Sequence, residues 1–127
     1  MKTTRKIIAS LFFGILLTLS TGIYAQDFVK VAAKGTTKVL LDNDQVRVVQ
    51  IESAPGQVTA WHSHPNHILY ALNDGKLEIT EKDKPAHVVE FKAGEAVFMP
   101  AVTHTAKNVG TTTLKLVMTE LKTADKK

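Results

Sequence analysis

The chain has 127 residues, 44% of them hydrophobic, and a formal net charge of +4 from 16 Lys and Arg against 12 Asp and Glu. All twelve acidic residues follow Ala25 while Lys2, Arg5 and Lys6 precede it, so beyond that point thirteen basic side chains face twelve acidic ones, a net +1. That near-balance removes the main support for a nucleic-acid or anionic-membrane partner, and a chain without cysteine can use neither disulfides nor thiol chemistry.

Taken in chain order, the first segment reads as an export signal. Lys2, Arg5 and Lys6 form a positive start, Ile7 to Leu19 an apolar run, and Ala25 a small residue before the expected cut. The apolar run is shorter than the roughly 20 residues of a spanning helix, and no cysteine near the cut could carry a lipid. Two regions are expected: a signal peptide over residues 1–25 and one domain over residues 26–127, periplasmic or secreted, with no membrane attachment after cleavage. A chain of this size supports a single core. No repeat or linker divides it, and only the terminal "TADKK" reads as a frayed polar tail.

After the cut, "FVKVAAK" is ambiguous between helix and strand. The segments "TKVLLD", "QVRVVQIES", "HILYALN", "KLEIT", "HVVEF", "EAVFMP" and "TTLKLVMTEL" then alternate or run β-branched, each bounded by turn chemistry such as "APGQ", "NDGK", "KAGE" and "NVGT". "HILYALN" and "KLEITE" are predicted to form a hairpin across Asp74-Gly75, which can adopt the positive φ angles of a tight turn. "VVEFKAGEAVFMP" suggests a second hairpin-like unit around Gly94. Seven or eight short antiparallel strands predict an all-β sandwich or small barrel.

The stretch "WHSHPNHILY" concentrates His62, His64 and His67, and the only other histidines are His87 and His104. On an extended strand His62 and His64 share a face about 7 Å apart at Cα, a spacing that suits two ligands of one ion. Neutral imidazole ligates zinc, copper, iron and nickel, and a tight site needs a third donor. From these two residues alone, a pair of solvated histidines at a strand end fits equally well.

Around these residues lie two motifs. The first is Gly56, "QVTAW", His62-Ser63-His64, "PNH", Ile68, "LYALND" and Gly75; the second is Gly94, "EAVFM", Pro100, His104, "TAK" and Asn108. In this order and spacing the chain resembles the cupin superfamily, with isoleucine where the first motif carries glutamate and one residue fewer between the proline and histidine of the second. The resemblance implies a small antiparallel jelly-roll β-barrel whose motif strands face each other across it. It implies that His62, His64 and His104 converge on a divalent metal ion, which could be zinc, iron, nickel, copper or manganese. It also implies a small-molecule ligand or substrate, and a homodimer paired through an edge strand such as "FVKVAAK" or "TKVLL".

Ile68 cannot replace the glutamate that usually completes such sites, so three histidines must hold the metal, with acid expected to empty the site near the ordinary imidazole pKa of about 6.5. His67 is a further candidate ligand. Strict alternation points it away from His64, but Pro65 can introduce a bend that resets the phase. His87 reads as a solvated strand-start residue, and Asn108 as a residue that fixes a turn. Trp61, Tyr70, Phe98 and Met99 are candidates for a pocket wall or for plain core. Glu52, Glu78, Glu90, Glu95 and Glu120 are expected on outward, solvated strand faces. No nucleophile elbow, phosphate loop or catalytic carboxylate pair is present. Two functions follow from the resemblance: a metal-dependent oxygenase- or isomerase-like enzyme, or a non-catalytic module that holds a small ligand with a structural metal or none.

Overall fold

The computed structural model describes residues 26–123; the expected signal peptide, residues 1–25, and all of "TADKK" except Thr123 lie outside the described residues. The chain opens with a two-residue strand, β1 (Gln26–Asp27), and one helical turn, α1 (Phe28–Val31). "FVKVAAK" is therefore a helical turn at its start. Asp27 caps it by accepting the Val29 N–H at 2.9 Å, and Phe28 is the residue it buries. Nine strands follow: β2 (Thr37–Asp42), β3 (Val46–Ser53), β4 (Val58–His64), β5 (His67–Ala71), β6 (Gly75–Glu81), β7 (His87–Phe91), β8 (Ala96–Met99), β9 (Val102–Asn108) and β10 (Leu114–Leu121).

These strands form two five-stranded sheets, ordered β1-β4-β9-β6-β7 and β2-β3-β10-β5-β8. Every pairing is antiparallel except β1 with β4. The sheets enclose a core that includes Val49, Leu69, Leu77, Phe91, Leu114 and Met118. This is the expected antiparallel jelly-roll barrel. Period two drives it, since each strand must hide one face and each large apolar side chain so buried contributes about 1.5–3 kcal/mol.

Two local expectations fail for one reason. β5 and β6 are not a hairpin, because β5 pairs with β10 and β8 while β6 pairs with β9 and β7 in the other sheet. Asp74 and Gly75 are not among the residues with positive φ. The "NDG" side chains instead lace the crossing: Asn73 donates to the Thr113 carbonyl and accepts from the Lys115 N–H, both at 2.8 Å, and Asp74 accepts from the Ala93 N–H at 2.9 Å. Gly75 serves close approach, since a Cβ there would meet Leu114 Cδ1 at 2.8 Å. The unit around Gly94 crosses in the same way, from β7 in one sheet to β8 in the other, with Gly94 at φ 85°. Alternation announces a strand but carries no information about its partner.

The motif strands also differ from expectation. β4 and β9 do not face each other across the barrel; they are hydrogen-bonded neighbours with His62 opposite His104. Directly opposed residues of an antiparallel pair hold their Cβ atoms about 4.5–5.5 Å apart, whereas facing sheets stand about 10 Å apart. Adjacency is what lets two imidazoles share one ion.

Candidate metal centre

β4 brings His62 and His64 to the interior by parity, and both are buried. The β4–β9 ladder changes register between Thr59 and His62, so β4 carries one extra residue there. This bulge lets Thr59 and His62, three positions apart, line the same cavity while Trp61 turns outward. His62 Nδ1 then donates to the Ala60 carbonyl at 2.6 Å.

Pro65 and Asn66 separate β4 from β5 and carry the chain into the other sheet. Asn66 fixes the corner, its side-chain oxygen accepting the Ala101 N–H and its carbonyl the Leu121 N–H, both at 2.8 Å. Across this corner the phase resets. His67 points inward at 1% exposure, and Ile68 points outward at 37%. The isoleucine therefore does not occupy the interior at all, and the inward residue after His64 is a histidine.

One ring nitrogen from each of His62, His64 and His104 lies within 4.8 Å of the others, and this is the one such ligand group among the described residues. Ring centroids stand 4.7 Å apart for His62 and His64, 4.6 Å for His62 and His104, and 5.3 Å for His64 and His104. A small inward tilt of the rings suffices for a common ion about 2.0–2.1 Å from each nitrogen. His67 stands against His64, centroids 4.6 Å apart, but outside the three-nitrogen group, and its Nδ1 donates to the Pro65 carbonyl at 2.8 Å.

The proton positions follow from the partners. A carbonyl oxygen only accepts, so His62 and His67 carry their protons on Nδ1 and present bare Nε2 lone pairs. His64 is oriented by Glu120, whose carboxylate accepts from Nδ1 at 3.0 Å. Burial pushes the His62 pKa down to about 4 and that of His104 to about 3, and it lowers that of His67 as well. At neutral pH His62, His67 and His104 are thus neutral. Neutral imidazole nitrogens are donor chemistry that a divalent transition ion takes.

Glu120 corrects the sequence reading. Rather than facing solvent it is 3% exposed, and Arg47, its register partner on β3, donates Nε to Glu120 Oε2 at 2.7 Å. Desolvation raises its pKa, but the hydrogen bonds from His64 and Arg47 outweigh this and leave it below the usual carboxylate value. Arg47 also forks onto Asp27, with N···O distances of 2.8 and 3.1 Å. The signal was present in the sequence, since Leu114, Leu116, Met118 and Glu120 are in phase. Glu120 shares the buried face of β10.

Phe28 sits over the cluster, its ring centroid 5.0 Å from His62 and 5.1 Å from His64. The space beside them is about 50 Å³ and largely apolar, walled by Leu69, Leu77, Phe91 and Met99 among others, with Ser53 and Thr59 as the polar exceptions. Of the four candidates for a pocket wall, Trp61, Tyr70 and Phe98 lie on the outside of the barrel instead, and Met99 alone lines the space. They occupy the outward phase of their strands. His87 is exposed, and Glu90 and Glu95 face solvent as expected. Asn108 is buried and fixes a turn, donating to the Ser53 and Thr112 carbonyls and accepting from the Gly110 N–H. A second space of about 260 Å³ adjoins the cluster, sharing Ile79, Met99 and His104 with the inner one and bounded by Glu81, Lys84 and His87.

Residues 49–120 match the family model described as a cupin domain. A cupin domain from Bordetella pertussis Tohama I superposes with a TM-score of 0.64 at 24% identity, covering 80% of this chain and 100% of that one. A cupin-like protein from Thermotoga maritima is 29% identical over 66% of this chain and 65% of its own, with a TM-score of 0.53. An RmlC-like cupin family protein with a double-stranded β-helix fold, from Methanocaldococcus jannaschii, gives 0.56 at 19% identity, covering 68% and 78%. Among curated proteins no significant match to the sequence was found.

Proposed function

The chain belongs to the cupin domain family, and from that premise we propose that it is an exported protein holding a divalent metal ion through His62, His64 and His104 beside a bound small organic molecule. The observation that carries this reading is the convergence of one nitrogen from each of the three buried histidines within 4.8 Å. When bound, such an ion supplies Lewis acidity or oxygen activation at its open positions. The chain's own residues do the rest. Carbonyl and carboxylate acceptors keep the Nδ1 protons of His62 and His64 turned away from the centre, and the largely apolar wall lowers the polarity around it. His67 offers a neutral Nε2 to a ligand lying beside His64.

Size restricts what can enter. About 50 Å³ holds an ion and a water or a molecule of similar size, so a larger organic ligand docks in the adjoining 260 Å³ space and reaches the ion past Met99 and His104. The rival reading, a metal or ligand site without catalysis, is favoured by a specific observation. Glu120, the carboxylate hydrogen-bonded to the cluster, is committed to His64 and Arg47 and is not poised as a free acid or base.

Elemental analysis of the protein purified from its native host without an affinity tag tests the metal, and stoichiometric metal is expected. Metal-free protein that fails to take up zinc, nickel, copper, manganese or iron(II) in calorimetric titration would sink the reading. Export rests on the N-terminal sequence and is tested by intact mass, which should begin at Gln26. The reading includes a homodimer through β2, an edge strand that exposes Val39, Leu40 and Leu41, with sedimentation as the check.

A further inference from the structure

Four charged or polar side chains run in line from the N-terminal segment to the histidine cluster. Asp27 lies at the end of β1, Arg47 on β3, Glu120 on β10 and His64 at the end of β4, so the line leaves one sheet, crosses into the other and returns. Each link is a short hydrogen bond: Arg47 to both oxygens of Asp27 at 2.8 and 3.1 Å, Arg47 Nε to Glu120 Oε2 at 2.7 Å, and His64 Nδ1 to Glu120 Oε1 at 3.0 Å. The two Glu120 oxygens are thereby used separately, one fixing the carboxylate and the other fixing the ring. Asp27 also caps α1, the turn that places Phe28 against His62 and His64.

Resting on the metal-site reading above, we propose that Glu120 is the positioning residue of the centre and that Arg47 and Asp27 extend it to the segment Gln26–Val31. Seating of that segment over the histidines and capture of the ion are then one coupled event. The physical reason is that a carboxylate on Nδ1 fixes the ring orientation, holds the proton away from Nε2 and increases that nitrogen's donor strength. Glu120 thus supplies, one bond outward, the negative charge that Ile68 does not supply as a ligand. Coupling is reciprocal by linkage: whatever helps Asp27 hold Arg47 helps the ion, and the ion holds the segment down.

The test compares the protein with Glu120→Gln, Asp27→Asn and the double variant, using zinc alone as probe. Asparagine keeps an oxygen to cap α1 while losing the charge that holds Arg47. Calorimetry should show zinc weakened by about 10- to 100-fold in Glu120→Gln and by about two- to five-fold in Asp27→Asn, the effect of a partly exposed ion pair. The double variant should be no weaker than Glu120→Gln alone, because both act through one path. Unchanged affinity in Glu120→Gln, or effects that simply add, would overturn the proposal. Hydrogen exchange at Phe28–Ala32 should slow when zinc binds and slow less in Asp27→Asn, and equal slowing in both would count against the coupling. Nitrogen NMR of the metal-free protein separates this proposal from the metal reading. His64 should be Nδ1-protonated, and Glu120→Gln, which can also offer an N–H, should mix the tautomers. Should the protein bind no zinc and yet show this change, the metal reading fails and the positioning role stands. An Nε2-protonated His64 in the unaltered protein removes the positioning role whatever zinc does. If Glu120→Gln does not fold, Asp27→Asn carries the same measurements.

Discussion

His62 and His104 are cross-strand partners on adjacent antiparallel strands, their rings 4.6 Å apart and inclined at 73°. Backbone pairing sets their register, so the two residues stand side by side before any ion arrives. His64 joins from two positions along β4. Replacing His64 or His104 by alanine should therefore abolish stoichiometric zinc binding, while His67→Ala, outside the three-nitrogen group, should weaken it by about 10- to 100-fold. Calorimetric titration of the three variants checks this, and full-strength binding in His64→Ala would be the contrary result.

The orientation of position 68 gives a sharper contrast. Ile68 is 37% exposed on the outer face of β5, whereas His67 is buried beside His64. Ile68→Glu should leave zinc affinity unchanged, because the new carboxylate meets water. His67→Glu should tighten it, because that carboxylate meets the cluster. The same titration decides, and a gain in Ile68→Glu would mean that β5 can be read in the opposite phase.

Acid should act through the fold. Burial holds the His62 and His104 pKa values down to about 4 and about 3, against about 6.5 in the unfolded chain. The unfolded state thus binds more protons in the interval between, so stability is complete above about pH 6.5 and falls as pH drops toward 4. Each group contributes up to about 1.4 kcal/mol per pH unit across that window. Because burial lowers the pKa of His62 and His104 below the ordinary imidazole value, proton competition at these two residues is expected at lower pH than for free imidazole. Urea titrations of the metal-free protein at pH 7, 6 and 5 should show falling midpoints, and His104→Gln should flatten the trend.

At Gly75 a Cβ would stand 2.8 Å from Leu114 Cδ1 and 3.3 Å from its Cβ, and Leu114 is fully buried. Gly75→Ala should accordingly destabilise by about 1–3 kcal/mol through overpacking, measured as a shift in urea midpoint. A hairpin turn at Asp74-Gly75 would show instead a penalty from positive φ, which the backbone here does not have.

The sequence by itself determined most of the strands and the all-β class, because alternation is a local property of the chain; that His62 and His64 meet His104 it indicated only through the resemblance of the two spaced motifs. It also held the Glu120 signal in the phase of β10, where parity outranks the default that a glutamate faces water. Only the tertiary structure decided which strands pair, and hence that β5 and β6 part into different sheets and that β4 lies beside β9. The same holds for His67, turned inward by a corner whose angle depends on Asn66 bonding residues 101 and 121. Pairing, burial and the line from Asp27 to His64 join residues far apart in sequence. Their energies depend on which surfaces meet, and no window along the chain contains that.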